Sequence, residues 1–274
     1  MARPLALNLH TMPEDHAHEH SHRHHPREPH PAKPGLLKLL LEARAPAEWY
    51  AGMLSLITLG GWPRGDGHPV LVFPGLAAND WSTVLLRQAL AQLGYTPYGW
   101  AQGFNAGPRH GVMAGCLERL DEIAEHHNEP LTLIGWSLGG IYARELAKLR
   151  TPQVRQVITL GSPFRGSPEK TRAYLMFRLL SGHRIHQQLK YRIAEAPPVP
   201  ATSIYSRTDG IVPWPLSLEP KAKLRENIAV PASHFGIGAN PLALWAIADR
   251  LAQPRGSWKP FAPKGWLRAW YRPH

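Results

Sequence analysis

Leu131-Thr132-Leu133-Ile134-Gly135-Trp136-Ser137-Leu138-Gly139-Gly140 is the stretch on which the reading of the fold turns. A short, largely apolar run bounded by a turn reads as a buried strand. A Gly-x-Ser-x-Gly turn follows it, and helical spacing then runs from Leu138 to Leu149, stopped by Pro152. A strand entering a helix through so tight a corner holds Ser137 in a strained conformation, with its hydroxyl exposed above the sheet edge. Gly135 and Gly139 belong to this elbow because a Cβ at either position would collide with the adjoining strand and helix.

The same alternation continues on both sides. Val70 to Phe73 is an apolar run ended by Pro74-Gly75; Trp81 to Leu93 has helical spacing and closes at Gly94, a residue suited to a left-handed helix end. Tyr95 to Trp100 reads as a strand and His110 to His127 as a helix. Beyond the elbow, Val154 to Leu160 and Ser203 to Ser206 read as strands. Ala239 to Ala252 closes the core as a helix, with Leu242, Leu244, Trp245, Ile247 and Leu251 facing inward. Strands alternating with helices at these lengths predict an α/β fold with a doubly wound, mainly parallel sheet, occupying residues 69–252.

The flanks differ in character. Residues 1–34 are rich in His and Pro and too poor in apolar side chains to pack, so a disordered tail is expected there. Its alternating His16, His18, His20, His22 and His24 suit loose zinc, nickel or copper binding but match no closed metal site. Residues 35–68 form an N-terminal helical segment. In it Leu36, Leu37, Leu39, Leu40 and Leu41 make an apolar face ending near Pro46, and a second apolar segment runs from Glu48 to Leu59. Trp49 to Pro63 is uncharged but falls short of the roughly 20 residues of a membrane span, and Gly60-Gly61 breaks it. It reads as a buried or membrane-resting segment. An insertion at about 167–200 predicts a helical cap. There Tyr174, Leu175, Phe177, Leu179 and Leu180 either face an apolar substrate or pack as an ordinary helix pair. Residues 253–274 interleave aromatics with Lys259, Lys264, Arg268 and Arg272, which suits a lipid headgroup region or a strap docked on the core.

Composition narrows the classes. At 274 residues and 43% hydrophobic, the chain can bury a large core without disulfide or metal staples. Its one cysteine, Cys116, lies in a predicted helix among apolar neighbours and reads as a buried thiol. A net charge of +11 favours anionic partners, and with the aromatic stretches it raises the expectation of peripheral membrane contact. No zinc-finger, RNP or basic-helix pattern accompanies it, so nucleic acid is not expected as a partner. The N-terminus has no apolar run after its positive charge, which argues against a secretory signal. The resulting expectation is a cytoplasmic chain; the charge reads either as a generally basic surface or as attraction to a membrane.

Downstream of Ser137 the order Ser, Asp, His recurs at the expected places. Asp209 follows the strand-like SIYS in SIYSRTDGIVPW, and His234 sits in PASHFGIGANP, the loop before the last helix. In that order an imidazole would take the serine proton, and a carboxylate would hold its tautomer. Asp209 has a plainer reading as an Asx-turn with Gly210, and His234 is one of 16 histidines. The backbone N–H groups of Leu76, in the turn after Phe73-Pro74-Gly75, and of Leu138, next to the serine, are placed to form an oxyanion hole.

Taken together, VLVFPGL, LIGWSLGG, ITLGSPFRGS, RTDGIVPW and SHFGIGANP resemble the α/β-hydrolase superfamily, specifically its lipase and esterase members, over Pro69 to Leu251. Pro74-Gly75 stands where many such lipases carry His-Gly. The resemblance implies a serine hydrolase with no cofactor and no metal, forming an acyl-enzyme on a small-molecule or lipid-like ester. Acyltransferase, thioesterase and amidase chemistry would use the same three residues and remain open.

Overall fold

In the computed structural model, six strands lie parallel in one sheet: β1 (Pro69–Phe73), β2 (Thr96–Gly99), β3 (Leu131–Trp136), β4 (Val154–Leu160), β5 (Ala201–Tyr205) and β6 (Arg225–Ala229). Their order across the sheet is β2-β1-β3-β4-β5-β6. Residues 31–181 and 193–271 are described. The histidine-rich stretch to which disorder and loose metal affinity were assigned lies outside them, as do residues 182–192 of the cap insertion. Helices among the described residues include α1 (Leu36–Leu40), α2 (Ala45–Ser55), α3 (Val84–Gln92), α4 (Val112–His127), α5 (Leu138–Leu149), α6 (Tyr174–Ser181) and α7 (Pro241–Leu251).

Side-chain alternation along the strands feeds two cores, one on each face of the sheet. Val70, Val72 and Ile134 pack with Leu85, Leu86 and Leu90 of α3 and Leu244, Ile247 and Leu251 of α7. Leu71, Phe73, Leu131 and Leu133 point the other way, against Cys116, Leu120 and Ile123 of α4 and Tyr142 and Leu146 of α5. Helices on both faces make the sheet doubly wound, as expected, and explain why its central strands read as unbroken apolar runs. Burial pushes the Cys116 thiol up to about 12, the inert, packed cysteine anticipated from its neighbours.

The sheet reverses its direction of growth once. From β1 the chain steps outward through α3 to β2, then returns through α4 to β3 on the opposite side of β1. Such a switch point opens a crevice beyond the carboxyl ends of the two strands involved, where open α/β sheets place their ligands. The loop after β1 and the serine elbow after β3 flank that crevice.

The N-terminal segment and the far sheet edge differ from the local sequence pattern. The leucine run packs only in part: Leu36, Leu37 and Leu40 are exposed, Leu37 by 72%, Leu39 packs against Ile211, Val212 and Leu216, and the acidic Glu42 is buried. The helix does not end near Pro46 either. A 3-10 turn (Leu41–Arg44) leads directly into α2, and the proline occupies its first turn, where a missing N–H costs nothing. Glu48 to Leu59 is only half buried, since Tyr50, Met53, Leu54 and Ile57 face outward. Finally, β6 was not anticipated because Arg-Glu-Asn-Ile-Ala is mostly polar. It is an edge strand, and Glu226 there accepts hydrogen bonds from Thr202 Oγ1, Arg250 Nη1 and the Phe261 amide at 2.7–2.9 Å.

The last of those donors belongs to the C-terminal stretch, which packs on the body of the protein. Tyr271 is buried, stacks edge-on with Phe261, and donates its hydroxyl proton to the Leu242 carbonyl at 2.6 Å. Over residues 253–271, the docked strap is the reading that describes this arrangement. Its Phe261 amide also meets Glu226 on the edge strand β6. Among the described residues, no helix is long and apolar enough to cross a membrane.

Candidate functional site

Ser137 sits between β3 and α5 with φ 53° and ψ −118°. A non-glycine residue in this region carries about 1–3 kcal/mol of strain, which the surroundings must hold in place. They do so closely. The Ser137 amide donates to the Leu160 carbonyl at the end of β4 (2.8 Å), and Gly140 donates back to the Ser137 carbonyl (3.1 Å). A Cβ on Gly135 would run into the backbone of Gly139 and Gly140, and one on Gly139 into the carbonyls of Phe73 and Pro74. The glycines of the elbow are therefore steric requirements, as their positions in the sequence suggested.

Three widely separated side chains converge here. His234 Nε2 lies 3.1 Å from Ser137 Oγ, and His234 Nδ1 lies 2.7 Å from Asp209 Oδ2. All three residues are buried, His234 to 3% exposure. Asp209 Oδ1 accepts the amides of Ile211 (2.8 Å) and Val212 (2.7 Å), which fixes the carboxylate's second oxygen toward the imidazole. This is an Asx-type turn and a histidine contact at once, so the two readings of Asp209 are compatible. The gap that admits the pair is made by Gly161 after β4: a Cβ there would stand 3.3 Å from both Asp209 Oδ2 and His234 Nδ1.

Burial disfavours the charged imidazolium of His234. The charge of Asp209, its hydrogen bond and the charge of Glu42 outweigh that penalty and raise the histidine above its ordinary pKa of 6.5. The elbow's own Trp136 also holds the base loop, donating its indole N–H to the His234 carbonyl at 3.0 Å. Gly75 makes room for that indole, whose ring carbons lie 3.1–3.3 Å from where a Cβ would stand.

Ser137 opens into a cleft with a mainly apolar lining that includes Leu76, Leu138, Ile141, Phe164, Phe177 and Val212. Leu138 is the first residue of α5, where a backbone N–H has no intrahelical acceptor. Of the cap residues named from sequence, Tyr174 and Phe177 of α6 line this cleft. Leu175 and Leu179 instead face outward, 65% and 76% exposed.

Sequence reasoning missed several residues that shape the site. Asn105 is fully buried and supports the turn after β1: its Nδ2 donates to the Pro74 carbonyl (3.0 Å), and its own carbonyl accepts the Ala77 amide (2.8 Å). The only hint was its place in the turn-rich Gly103-Phe104-Asn105-Ala106-Gly107. Glu42, Arg44, Glu48 and Trp49 of the N-terminal segment were also missed. Glu42 accepts the amides of Gly210 (2.8 Å), His234 (3.0 Å) and Phe235 (3.2 Å). Glu48 accepts the Ser233 amide (2.9 Å) and hydroxyl (2.6 Å) and pairs with Arg44 (2.8 Å). Arg44 reaches on to Thr208 Oγ1 (2.7 Å), and the Trp49 indole donates to the Phe235 carbonyl (3.2 Å). Two acids six residues apart inside an apolar helical stretch were the available signal.

Comparison with known proteins bears on the architecture. No protein-family model matches the sequence, and no curated protein matches it. Among solved structures the chain is similar to a monoacylglycerol lipase of Paleococcus ferrophilus, with TM-score 0.50 and 18% identity over 70% of this chain and 96% of that one. It is similar to lipase B of Aspergillus fumigatus, with TM-score 0.58 and 18% identity, over 72% of this chain but only 55% of the fungal one. An α/β-superfamily hydrolase of Oenococcus oeni gives TM-score 0.51 and 15% identity over 68% and 91% of the two chains. At such identities the likeness is one of fold.

Proposed function

We propose, from the α/β-hydrolase fold that this chain has, that it is a serine hydrolase of carboxylic esters with hydrophobic acyl groups. The observation that carries the reading is the continuous contact Ser137 Oγ–His234 Nε2–Asp209 at 3.1 and 2.7 Å, at the mouth of an apolar cleft. Ser137 attacks the acyl carbon as its proton passes to His234 Nε2. Asp209 accepts the Nδ1 proton in a hydrogen bond and stabilises the imidazolium. The amides of Leu76 and Leu138 donate to the oxyanion, each such donor being worth roughly 3 kcal/mol to the transition state. The imidazolium returns its proton to the departing alkoxide, leaving an acyl-enzyme. Water, deprotonated by the same imidazole, then releases the acid and restores the serine.

The apolar lining from Leu138, Ile141, Phe164 and Phe177 supports an acyl chain over a charged or sugar-like group. The test is a series of p-nitrophenyl esters from acetyl to long acyl, with wild type and Ser137→Ala. Turnover is expected to fall at least about a thousandfold in the variant. Fluorophosphonate should label Ser137 alone. Undiminished cleavage by Ser137→Ala would remove the assignment, and dominant transfer of the acyl group to an added alcohol would replace hydrolysis by acyl transfer.

A further inference from the structure

The N-terminal helical segment stands outside the sheet, yet its side chains reach the two loops that carry Asp209 and His234. Asp209 and His234 come from loops after different strands, and their contact with each other is a single hydrogen bond. Glu42 bridges these loops from behind. One carboxylate oxygen accepts Gly210 N–H from the acid loop together with His234 N–H from the base loop, and the other accepts Phe235 N–H. All three donors are backbone groups of residues at or next to the reacting pair. The carboxylate is 8% exposed as a residue, so it is a built part of the interior. Approach is close because Gly210 has no Cβ, which would otherwise collide with the Lys38 carbonyl.

We infer that Glu42 is a positioning residue for the proposed reaction: it fastens the acid and base loops to the N-terminal segment and so sets the register of His234 against Ser137. This rests on the reading of Ser137 and His234 as nucleophile and base. Charge-assisted hydrogen bonds to backbone amides are short and directional, and a carboxylate accepting three of them fixes the relative position of the chains it joins. Misplacement of a catalytic group by about 1 Å costs on the order of 100-fold in rate. Glu48 completes the clamp one residue upstream, on Ser233, whose hydroxyl in turn accepts the Gly236 amide at 2.9 Å.

Glu42 acts on His234 electrostatically as well. The charged and titratable groups facing the imidazole are Asp209 from the loop after β5, Ser137 from the elbow and Glu42 from the N-terminal segment. Glu48 and Arg44 lie one layer out and pair with each other. Both Asp209 and Glu42 favour the protonated imidazole against its burial.

The deciding variants are Glu42→Gln, which keeps shape and removes charge, and Glu42→Asp, which keeps charge and shortens the reach by one methylene. In the full chain, Glu42→Gln is expected to lower kcat per fluorophosphonate-titrated site about 100-fold, with KM within about twofold. Its His234 pKa, followed by NMR of the imidazole Hε1, is expected to fall. Glu42→Asp should keep the imidazole pKa near wild type and lose about tenfold in kcat; it serves as the test should the glutamine variant not fold. Wild-type kcat in whichever variant folds, or an unmoved imidazole pKa in folded Glu42→Gln, overturns the proposal. If the wild-type protein cleaves no ester, the functional reading fails by itself, and the imidazole titration still decides whether Glu42 governs His234.

Discussion

In the proposed reaction the imidazole of His234 meets two opposed demands: it is neutral when it accepts the Ser137 proton, yet its neighbours favour its charged form. Because Asp209 and Glu42 together outweigh burial, the histidine binds its proton more tightly than a free side chain with pKa 6.5. The active species is the deprotonated one, so kcat/KM should fall as pH drops through a midpoint that lies above 6.5. A pH–rate profile on a soluble short-chain ester reports that midpoint directly. Asp209→Asn removes both the charge and the acceptor for Nδ1–H. It should move the midpoint downward while lowering turnover by about three or more orders of magnitude. A profile whose midpoint does not move in that variant would disconnect Asp209 from the imidazole.

At the scale of elements, the elbow is a junction of three pieces of backbone, β1, β3 and α5, brought closer than side chains allow. Gly139 is the contact point of α5 with the carbonyls of Phe73 and Pro74. Gly139→Ala must push the helix away from β1 or distort the turn, a form of overpacking that typically costs about 1–3 kcal/mol. The displaced helix also moves Leu138 and Ser137, so fluorophosphonate labelling should slow far more than the drop in Tm alone implies. Gly60→Ala is the matched control, since nothing stands near its added methyl group. Equal labelling rates for the two alanine variants would mean that the close approach is not what shapes the elbow.

Over the whole molecule, the two ends of the sheet hold buried histidines of opposite character. At the amino end His68, fully buried just before β1, contacts Asp66 through Nδ1 and Thr132 Oγ1 through Nε2 at 3.0 Å, with Arg155 3.1 Å away. Burial lowers its pKa below 6.5; Asp66 opposes that shift and Arg155 adds to it. The folded chain thus resists protonation that the unfolded chain accepts, and stability should decline as pH falls below about 6.5. His234, with its pKa raised, has the reverse sign: its contribution is full below 6.5 and fades as pH rises through the folded value. Thermal melts of wild type and His68→Gln between about pH 7.5 and 5 separate them. The variant should lose part of the acid-side decline in Tm, whereas parallel curves would acquit His68.

Local pattern by itself determined the alternation of β1 to β5 with α3, α4, α5 and α7, the parallel sheet, and the elbow at Ser137. Each rests on periodicity or on steric limits that act within a few residues. Chain order also pointed to Asp209 and His234, because loops after successive parallel strands must emerge at one edge of the sheet. What lay beyond that reading was decided only when distant segments met. The polar edge strand β6 pairs with β5 along its length and buries Ile228 and Ala229, while Thr202, Arg250 and the C-terminal strap satisfy Glu226. Leu36, Leu37 and Leu40 of α1 face outward while Glu42 turns in, where it meets three amides from the acid and base loops, at least 168 positions away. Apolar periodicity records which residues prefer to leave water, whereas a buried carboxylate is placed by partners that no local window contains.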